Sequence, residues 1–434
     1  MIQAPCRIRH IDLQDGVPAL PAEPGYASVL LIFRWGRLVL GSHCIEAKEL
    51  PLPVTAVTHM AARIVAPAVG ARLLDHGFQA PLPVLGRRMP DDPPPGLAAL
   101  LRLEQPLHAT AAADAAHQDG VARPKASLII CTRARAQALM RCLASVWDAD
   151  ELDEILVVDN STGDPETRKV VAAFPSVRYL VEPRAGLSAA RNAGLAATSG
   201  EIVLFTDDDV EIEPGWAAAL LSAFGRPEVM AATGLILPAA LDTPAQLAFE
   251  YALGGFDRGY RAKEFDRAFF AATTGIGVPV WLIGSGANMA FRRAAFARVG
   301  LFDERLGAGA SGCSEDSELW YRLLAAGYVC RYEPGAVVRH HHRADWPALT
   351  RQLRDYTRGH VVALFVQYWQ HGHAGELRRA LLHLPRYYLW LVKEGLRRGF
   401  GIRQRLLPVE LAGWLAGLRA AWALRRGGRG AADA

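Results

Sequence analysis

Glu201-Ile-Val-Leu-Phe-Thr-Asp-Asp-Asp209 is an apolar run that stops on three adjacent acids. Residues Ile202 to Thr206 have the β-branched or apolar character of a buried parallel strand. Carboxylates at the carboxyl end of such a strand lie where open α/β sheets bind ligands. Crowded together, they are costly unless a cation or a hydrogen-bond donor offsets their repulsion. A hard divalent ion takes oxygen ligands, and Mg²⁺ typically combines one or two carboxylates with substrate phosphate oxygens. An acidic turn would account equally well for an isolated Asp triplet, so the flanking sequence has to decide.

Upstream, the pattern alternates. Ser127 to Thr132 reads as a strand, and Ala134 to Trp147 as a helix with Leu139, Cys142, Leu143 and Val146 on one face. Glu154 to Asp159 is the next strand, followed by a short helix and the strand Val177 to Val181. Gly186 to Thr198 is a small-residue helix that carries Arg191 and Asn192 and leads into the strand before the acids. Such alternation predicts an α/β fold with a mostly parallel central sheet and right-handed crossovers. No G-x-G-x-x-G follows the first strand and no G-x-x-x-x-G-K-[ST] occurs, which excludes the dinucleotide and P-loop arrangements. A nucleotide would then be held by acids on its ribose and base, and by metal and arginine on its phosphates.

The remainder frames this centre. The chain has 434 residues, 21% charged and 51% hydrophobic, with a formal net charge of +4, too small to argue for a nucleic-acid partner. Between Glu376 and Arg429, twelve Lys/Arg face three Asp/Glu, a net of +9, which leaves −5 for the rest. Six scattered cysteines without CxxC pairs suit reduced thiols in a cytoplasmic protein. Met1 to His10 is polar, without the apolar core of a signal peptide. No uncharged run reaches the ~18 residues of a spanning helix. Residues 1–108 read as a small α/β module, with a β pair Ser28–Phe33 and Arg37–Leu40, a helical stretch from Thr55 to His76 and a Pro-rich segment at Asp91–Gly96. Residues 109–125 read as a linker and 126–373 as the catalytic domain.

Ser127–Thr132, Val157-Val-Asp-Asn160, Gly186-Leu-Ser-Ala-Ala-Arg-Asn192, Gly200–Asp209 and Gly284-Ser-Gly-Ala-Asn-Met289 occur in that order, followed by Gly300-Leu-Phe-Asp-Glu304 and Ser314-Glu-Asp-Ser-Glu318. This series resembles a family 2 glycosyltransferase of the GT-A fold, close to bacterial cell-surface polysaccharide enzymes, over about residues 126–345. The resemblance implies an inverting, metal-dependent transfer from a nucleotide-sugar donor to a hydroxyl of a glycan or lipid-linked acceptor. It implies that Asp159 meets the base or ribose, and that Thr132, Arg135, Arg184 and Arg191 approach the nucleotide sugar. Asp207 and Asp209 match its DxD pattern: Asp209 would bind Mn²⁺ or Mg²⁺, Asp207 the ribose or the metal shell, and Asp208 would belong to the donor site. Asp316 matches the family's general base, with Glu315 as a supporting acid, although both would also suit the first turn of a helix capped by Ser314. Cys313-Ser314 stand where many relatives carry two glycines. In the triplet His340-His341-His342, His340 matches the residue that reaches the metal or diphosphate, with His342 second.

Gly284, Ser285, Gly286 and Asn288, with Gly254–Tyr260, are candidates for the acceptor side. Residues 374–434 form a basic helical extension in which Leu411, Trp414, Leu415, Leu418 and Trp422 fall at helical spacing. Two readings of it stay open. One is a helix lying on an anionic membrane, at the inner face of the cell membrane. The other is a helical hairpin packed on the catalytic domain or on a second copy in a homodimer. A nucleotidyltransferase would need a basic glycine-rich loop after the first strand, where the chain has Cys131-Thr-Arg-Ala-Arg135. A silent glycan-binding scaffold would be expected to have lost the acids that are present here.

Overall fold

The computed structural model describes residues 2–75, 124–146 and 149–432. The Pro-rich segment, most of the expected linker, His76 and Trp147 lie outside the described residues. The chain divides into two compact units. One holds residues 1–123 with the excursions 240–247 and 259–262, and the other holds the remainder.

The first unit carries a three-stranded sheet in the order β1 (Cys6–Asp12), β2 (Ser28–Trp35), β3 (Leu38–Glu46). β2 and β3 form the expected antiparallel hairpin, longer than the sequence pattern indicated. β1 was not expected. It runs parallel to β2, yet only Cys6 and Ile11 of its seven residues are buried, so it shows no alternation to read. Helix α1 (Val54–Asp75) buries Val57, Ala61, Ala62, Val65, Ala68 and Val69 in the unit's core with Leu31, Phe33 and Leu40. It is long and apolar enough to cross a membrane by composition, but that face is accounted for by the core.

The second unit is built on a nine-stranded sheet. β4 (Ala126–Thr132) lies between β5 (Glu154–Asp159) and β7 (Ile202–Asp207), and β6 (Val177–Val181) follows β5, all four parallel. Every residue of β4 is buried, as a central parallel strand requires. The crossovers are α2 (Ala136–Ala144), α3 (Pro165–Ala172) and α4 (Leu187–Ala197). α4 lies so close to the sheet that a Cβ on Gly194 would stand 2.7 Å from Ile129 Cγ2, which explains its small residues.

Beyond β7 the chain adds β8 (Val210–Ile212), α5 (Trp216–Ser222) and β9 (Val229–Pro238). β10 (Lys263–Phe265) and β11 (Asn288–Arg292) follow; β11 runs antiparallel to both β7 and β9. α6 (Arg293–Val299) and α7 (Glu315–Ala325) precede β12 (Val329–His340), which is parallel to β9. The β12–β9 register shifts between Glu333 and Val337, and the distal half of β12 also pairs with β8, His340 opposite Val210. That pairing brings the histidine triplet beside the acid triplet.

Helices α8 (Trp346–His371), α9 (Leu384–Arg398) and α10 (Leu407–Ala432) complete the unit. α10 lies along α8 at close range: a Cβ on Gly413 would stand 2.6 Å from the Arg354 carbonyl, and one on Gly417 2.7 Å from Val361 Cβ. Val362, Ala363 and Val366 of α8 pack with Leu306, Ala420 and Leu424. The tail is therefore part of the second unit's core, as in the packed-hairpin reading. The apolar stripe picked out in the sequence is packed only in part: Trp414 packs with Tyr388, Leu391 and Leu407, while Leu411, Leu415 and Trp422 are exposed.

Candidate active site

A cavity of about 1040 Å³ in the second unit opens at the carboxyl ends of β4 and β7. Its lining includes Thr132, Arg135, Asp207, Asp208, Asp209, Glu315, Asp316 and His340. Strand termini and one helix start thus deliver the two acid clusters, more than a hundred residues apart in sequence, to one space.

Within the triplet the three carboxylates differ. Asp208 is buried, accepts from Thr132 Oγ1 at 2.7 Å and pairs with Arg135 Nη1 at 2.5 Å. Burial pushes its carboxyl up to about 7, with Arg135 opposing. Asp209 lies 2.7 Å from Arg135 Nη2, 3.2 Å from Arg343 Nη1 and 3.4 Å from His340 Nε2. Burial pushes Asp209 up as well, but the cations around it outweigh that and hold it below the usual carboxylate range. His340 is the largest of these influences, followed by Arg135 and Arg343; burial in turn drives His340 itself down to about 3, with Asp209 opposing. Asp207, a third exposed, meets Arg191 Nη2 at 3.3 Å.

Arg191 is the hinge between the clusters. Its guanidinium is buried, 2.6 Å from Glu315 through Nη1, and Nη2 also donates to the Gly286 carbonyl at 3.3 Å. Burial raises Glu315 to about 7, with Arg191 opposing and Asp316 reinforcing the rise. Asp316 accepts from Gly286 N–H at 2.6 Å through Oδ2 and from Ser317 N–H at 2.6 Å through Oδ1. Those donors orient the carboxylate and leave lone pairs for an incoming hydroxyl. Ser314 occupies the cap position of α7 but makes no side-chain cap bond, and its φ of 73° is left-handed. The loop before it is clamped to α8, where a Cβ on Gly359 would stand 2.4 Å from Cys313 N.

His340 Nδ1 lies 2.9 Å from His342 Nδ1, and His342 Nε2 lies 2.9 Å from Glu250. His341 pairs instead with Glu211 at 2.6 Å. Among the described residues no group of three or more Cys, His, Asp or Glu side chains is placed to hold a metal ion. Asp209 and His340, 3.4 Å apart, are an oxygen and a nitrogen donor of the kinds that Mn²⁺ or Mg²⁺ accepts beside phosphate oxygens, and Asp207 adjoins them in sequence. The guanidinium groups on Asp209 show the same demand for positive charge.

Several expected residues stand elsewhere. Asp159 is fully buried and accepts from Ser161 Oγ, Asp164 N–H and Tyr179 OH, so its lone pairs serve the turn after β5. Arg184 pairs with Glu182 and Glu304 and does not line the cavity. Arg191, by contrast, does line the cavity, with its guanidinium held between Glu315 and Asp207. Asn288 is buried, accepting from Trp216 Nε1 and donating to the Leu235 and Ala336 carbonyls, and so belongs to the sheet. Tyr260 belongs to the first unit and donates to Ser42 Oγ. Gly284, Ser285 and Gly286 do line the cavity, although Gly284 is also needed for packing, its Cβ position being 2.6 Å from Thr233 Cβ. Arg258, inside the Gly254–Tyr260 stretch, lines the cavity; the sequence reading missed Arg343, which directly follows the histidines, and Trp281, His360 and Arg379, which no motif marks.

Residues 127–300 match the model of glycosyl transferase family 2. The chain is 32% identical over 232 residues to a pre-mycofactocin glycosyltransferase of Mycobacterium tuberculosis, covering 53% of this chain and 44% of that protein. It is 30% identical over 232 residues to an N-acetylglucosaminyl-diphospho-decaprenol L-rhamnosyltransferase of the same organism, covering 47% of this chain and 71% of that one. Among solved structures it is similar to a mannosyltransferase of Pyrobaculum calidifontis in complex with GDP-Man and Mn²⁺, with TM-score 0.47 and 17% identity over 74% of this chain and 97% of that chain. The chain thus spans less than half the length of the first relative and more than two thirds of the second. From the 127–300 match and the alignment across most of the rhamnosyltransferase, the chain belongs to glycosyl transferase family 2.

Proposed function

We propose that the second unit transfers a glycosyl group from a nucleotide-sugar donor to a hydroxyl of a glycan or lipid-linked acceptor, in one inverting displacement. The observation that carries this reading is the Asp207–Arg191–Glu315 bridge, which joins the acids at the end of β7 to those that open α7 in the wall of one cavity. Asp209 and His340 would hold a divalent ion, with Asp207 in its shell. Such an ion supplies Lewis-acid relief of the charge on the departing diphosphate. Arg343, paired with Asp209, and Arg135, paired with both Asp208 and Asp209, are within reach of the same negative charge. Asp316, fixed by two backbone N–H groups, takes the proton of the acceptor hydroxyl as it attacks the anomeric carbon. Arg191 holds Asp207 and the Gly286 turn in position, and its charge acts on Glu315 behind Asp316.

The natural place of work in this proposal is the inner face of the cell membrane. Leu389, Trp390, Val392 and Leu396 are exposed on α9, beside Arg386, Lys393, Arg397 and Arg398. Apolar and aromatic side chains interleaved with cations suit an anionic lipid surface. The relative that acts on a diphospho-decaprenol carrier supports a lipid-linked acceptor. The test is a panel of nucleotide sugars with Mn²⁺ or Mg²⁺, followed by detection of the released nucleoside diphosphate. Metal-dependent release from one donor is expected; no release from any donor, with or without metal, would remove the proposal.

A further inference from the structure

The cavity has a second basic wall that the transfer step does not use. Arg258 and Arg379 line it, together with Trp281 and His360. Arg258 donates through Nε to the Trp281 carbonyl at 3.0 Å and through Nη1 to the Asp257 carbonyl at 3.0 Å; its Nη2 has no hydrogen-bond partner among the described residues. The Arg379 guanidinium lies 3.8 Å from the centre of the Trp281 ring, and Nε reaches His360 Nε2 at 3.4 Å. Its two Nη groups have no hydrogen-bond partner among the described residues. Neither arginine has a carboxylate within ion-pair distance among the described residues, in contrast to Arg135, Arg191 and Arg343 around the acids. Glu376 acts on Arg379, and Asp257, Asp316 and Glu250 on Arg258, only from beyond ion-pair distance; half-buried cations with no direct ion pair are costly, and part of that cost is recovered when an anion arrives. Burial also pulls both guanidinium groups below their ordinary range, Arg379 to about 10.

We infer that Arg258 and Arg379 form an anion subsite on the acceptor side, which seats a phosphate or diphosphate carried by the acceptor. The inference rests on the glycosyltransferase reading and names its acceptor class. A planar guanidinium stacked on an indole is held flat, and its free edge offers paired N–H donors that match a phosphate. The subsite is on the acceptor side because Arg258 is tied to the 280–286 segment whose Gly286 N–H holds Asp316. The donor diphosphate has its own cations at Arg135 and Arg343. The cavity lining continues from Arg379 to Leu384 and Tyr387 of α9, the helix with the exposed apolar face. The phosphate could therefore belong to a lipid carrier or to a soluble sugar phosphate.

The test is calorimetric titration of full-length protein already saturated with Mn²⁺ and the nucleoside diphosphate released in the donor assay. Inorganic diphosphate and decyl diphosphate are the probes. Both should bind, and Arg258→Gln and Arg379→Gln should each weaken them by about tenfold or more, as loss of a charge-assisted hydrogen bond implies. Nucleoside diphosphate affinity should stay within about twofold in both variants, given additivity between separate sites. Arg379→Lys, which keeps the charge and the stem but loses the fork, should fall between wild type and the Gln variant, and it serves if the Gln variant does not fold. Tighter binding of the decyl probe points to a lipid carrier, equal binding to a soluble phosphate. Probes that fail to bind the nucleotide-saturated protein, or that bind all variants alike, overturn the subsite. Failure of the nucleoside diphosphate itself to bind would instead count against the donor reading.

Discussion

Replacing Arg191 by Gln should damage both stability and turnover, and the damage should depend on pH. Arg191 is buried, 2.6 Å from Glu315 and 3.3 Å from both Asp207 and the Gly286 carbonyl. The shorter neutral side chain leaves Glu315 without its cation in a site that already raises its carboxyl to about 7. Breaking one partner of a buried pair costs about 3–5 kcal/mol, and Glu315 can relieve part of this by protonation, so about 3 kcal/mol is expected. At roughly 2–4 °C per kcal/mol for a large domain, the melting temperature should fall by about 6–12 °C. A carboxyl with a raised folded pKa favours the folded state below the unfolded value of 4.5 and loses that contribution as pH rises through about 7. Removing Arg191 raises the carboxyl further and extends the loss, so the deficit should be small at pH 5 and full at pH 8. Differential scanning calorimetry at the two pH values measures this, and Arg191→Lys should recover part of it. A deficit under about 1 kcal/mol at pH 8, or one that shrinks as pH rises, would refute the reasoning.

Other expectations follow from single contacts. Asp209→Asn should abolish transfer and the metal dependence of donor binding while the fold survives; full activity of wild type in excess chelator would contradict it. Ser314→Gly should stabilise the second unit by about 1 kcal/mol, because it removes a left-handed serine with φ 73°, and an unchanged or lower melting temperature would show that the strain is absent. Full-length protein should pellet with anionic vesicles at low salt and release at high salt. A Leu389→Ser/Trp390→Ser/Leu396→Ser variant should stay in solution, whereas concentration-dependent dimerisation lost in that variant would assign the face to a second copy. Truncation before α9 should leave an insoluble chain, because it uncovers Val362 and Val366.

Much of the second unit can be read in the sequence, because central parallel strands announce themselves as unbroken apolar runs. β4, β5 and β7 are of that kind, and each ends at the polar residue that begins the turn. β1 is different: it has one partner, two buried residues and no period. The tail shows a second limit. An apolar helical stripe marks what could be buried, and here the buried contact is made by Gly413 and Gly417, one turn apart, through close approach of backbones. The acids at 207–209 and 315–316 were legible as chemistry, but their connection was not. Arg191 meets Glu315 across 124 positions, and local spacing carries no trace of that pair. Asp159 and Arg184 look like ligand-binding residues by type and place, yet nearby donors and acids occupy them. Arg379 became visible only when the fold brought it to the wall where Arg258, inside the Gly254–Tyr260 stretch, also stands.

The central claim is that the two acid clusters form one transfer site in which Asp316 accepts the proton. Asp316→Asn tests it most directly, because the amide keeps size and can still accept the Gly286 N–H bond at 2.6 Å but cannot take the proton. Turnover and nucleotide-sugar affinity are measured side by side on the same preparation. The predicted result is turnover lower by about 10² or more with donor affinity nearly unchanged. Turnover equal to wild type would contradict the account and move the base to another residue, Glu315 first.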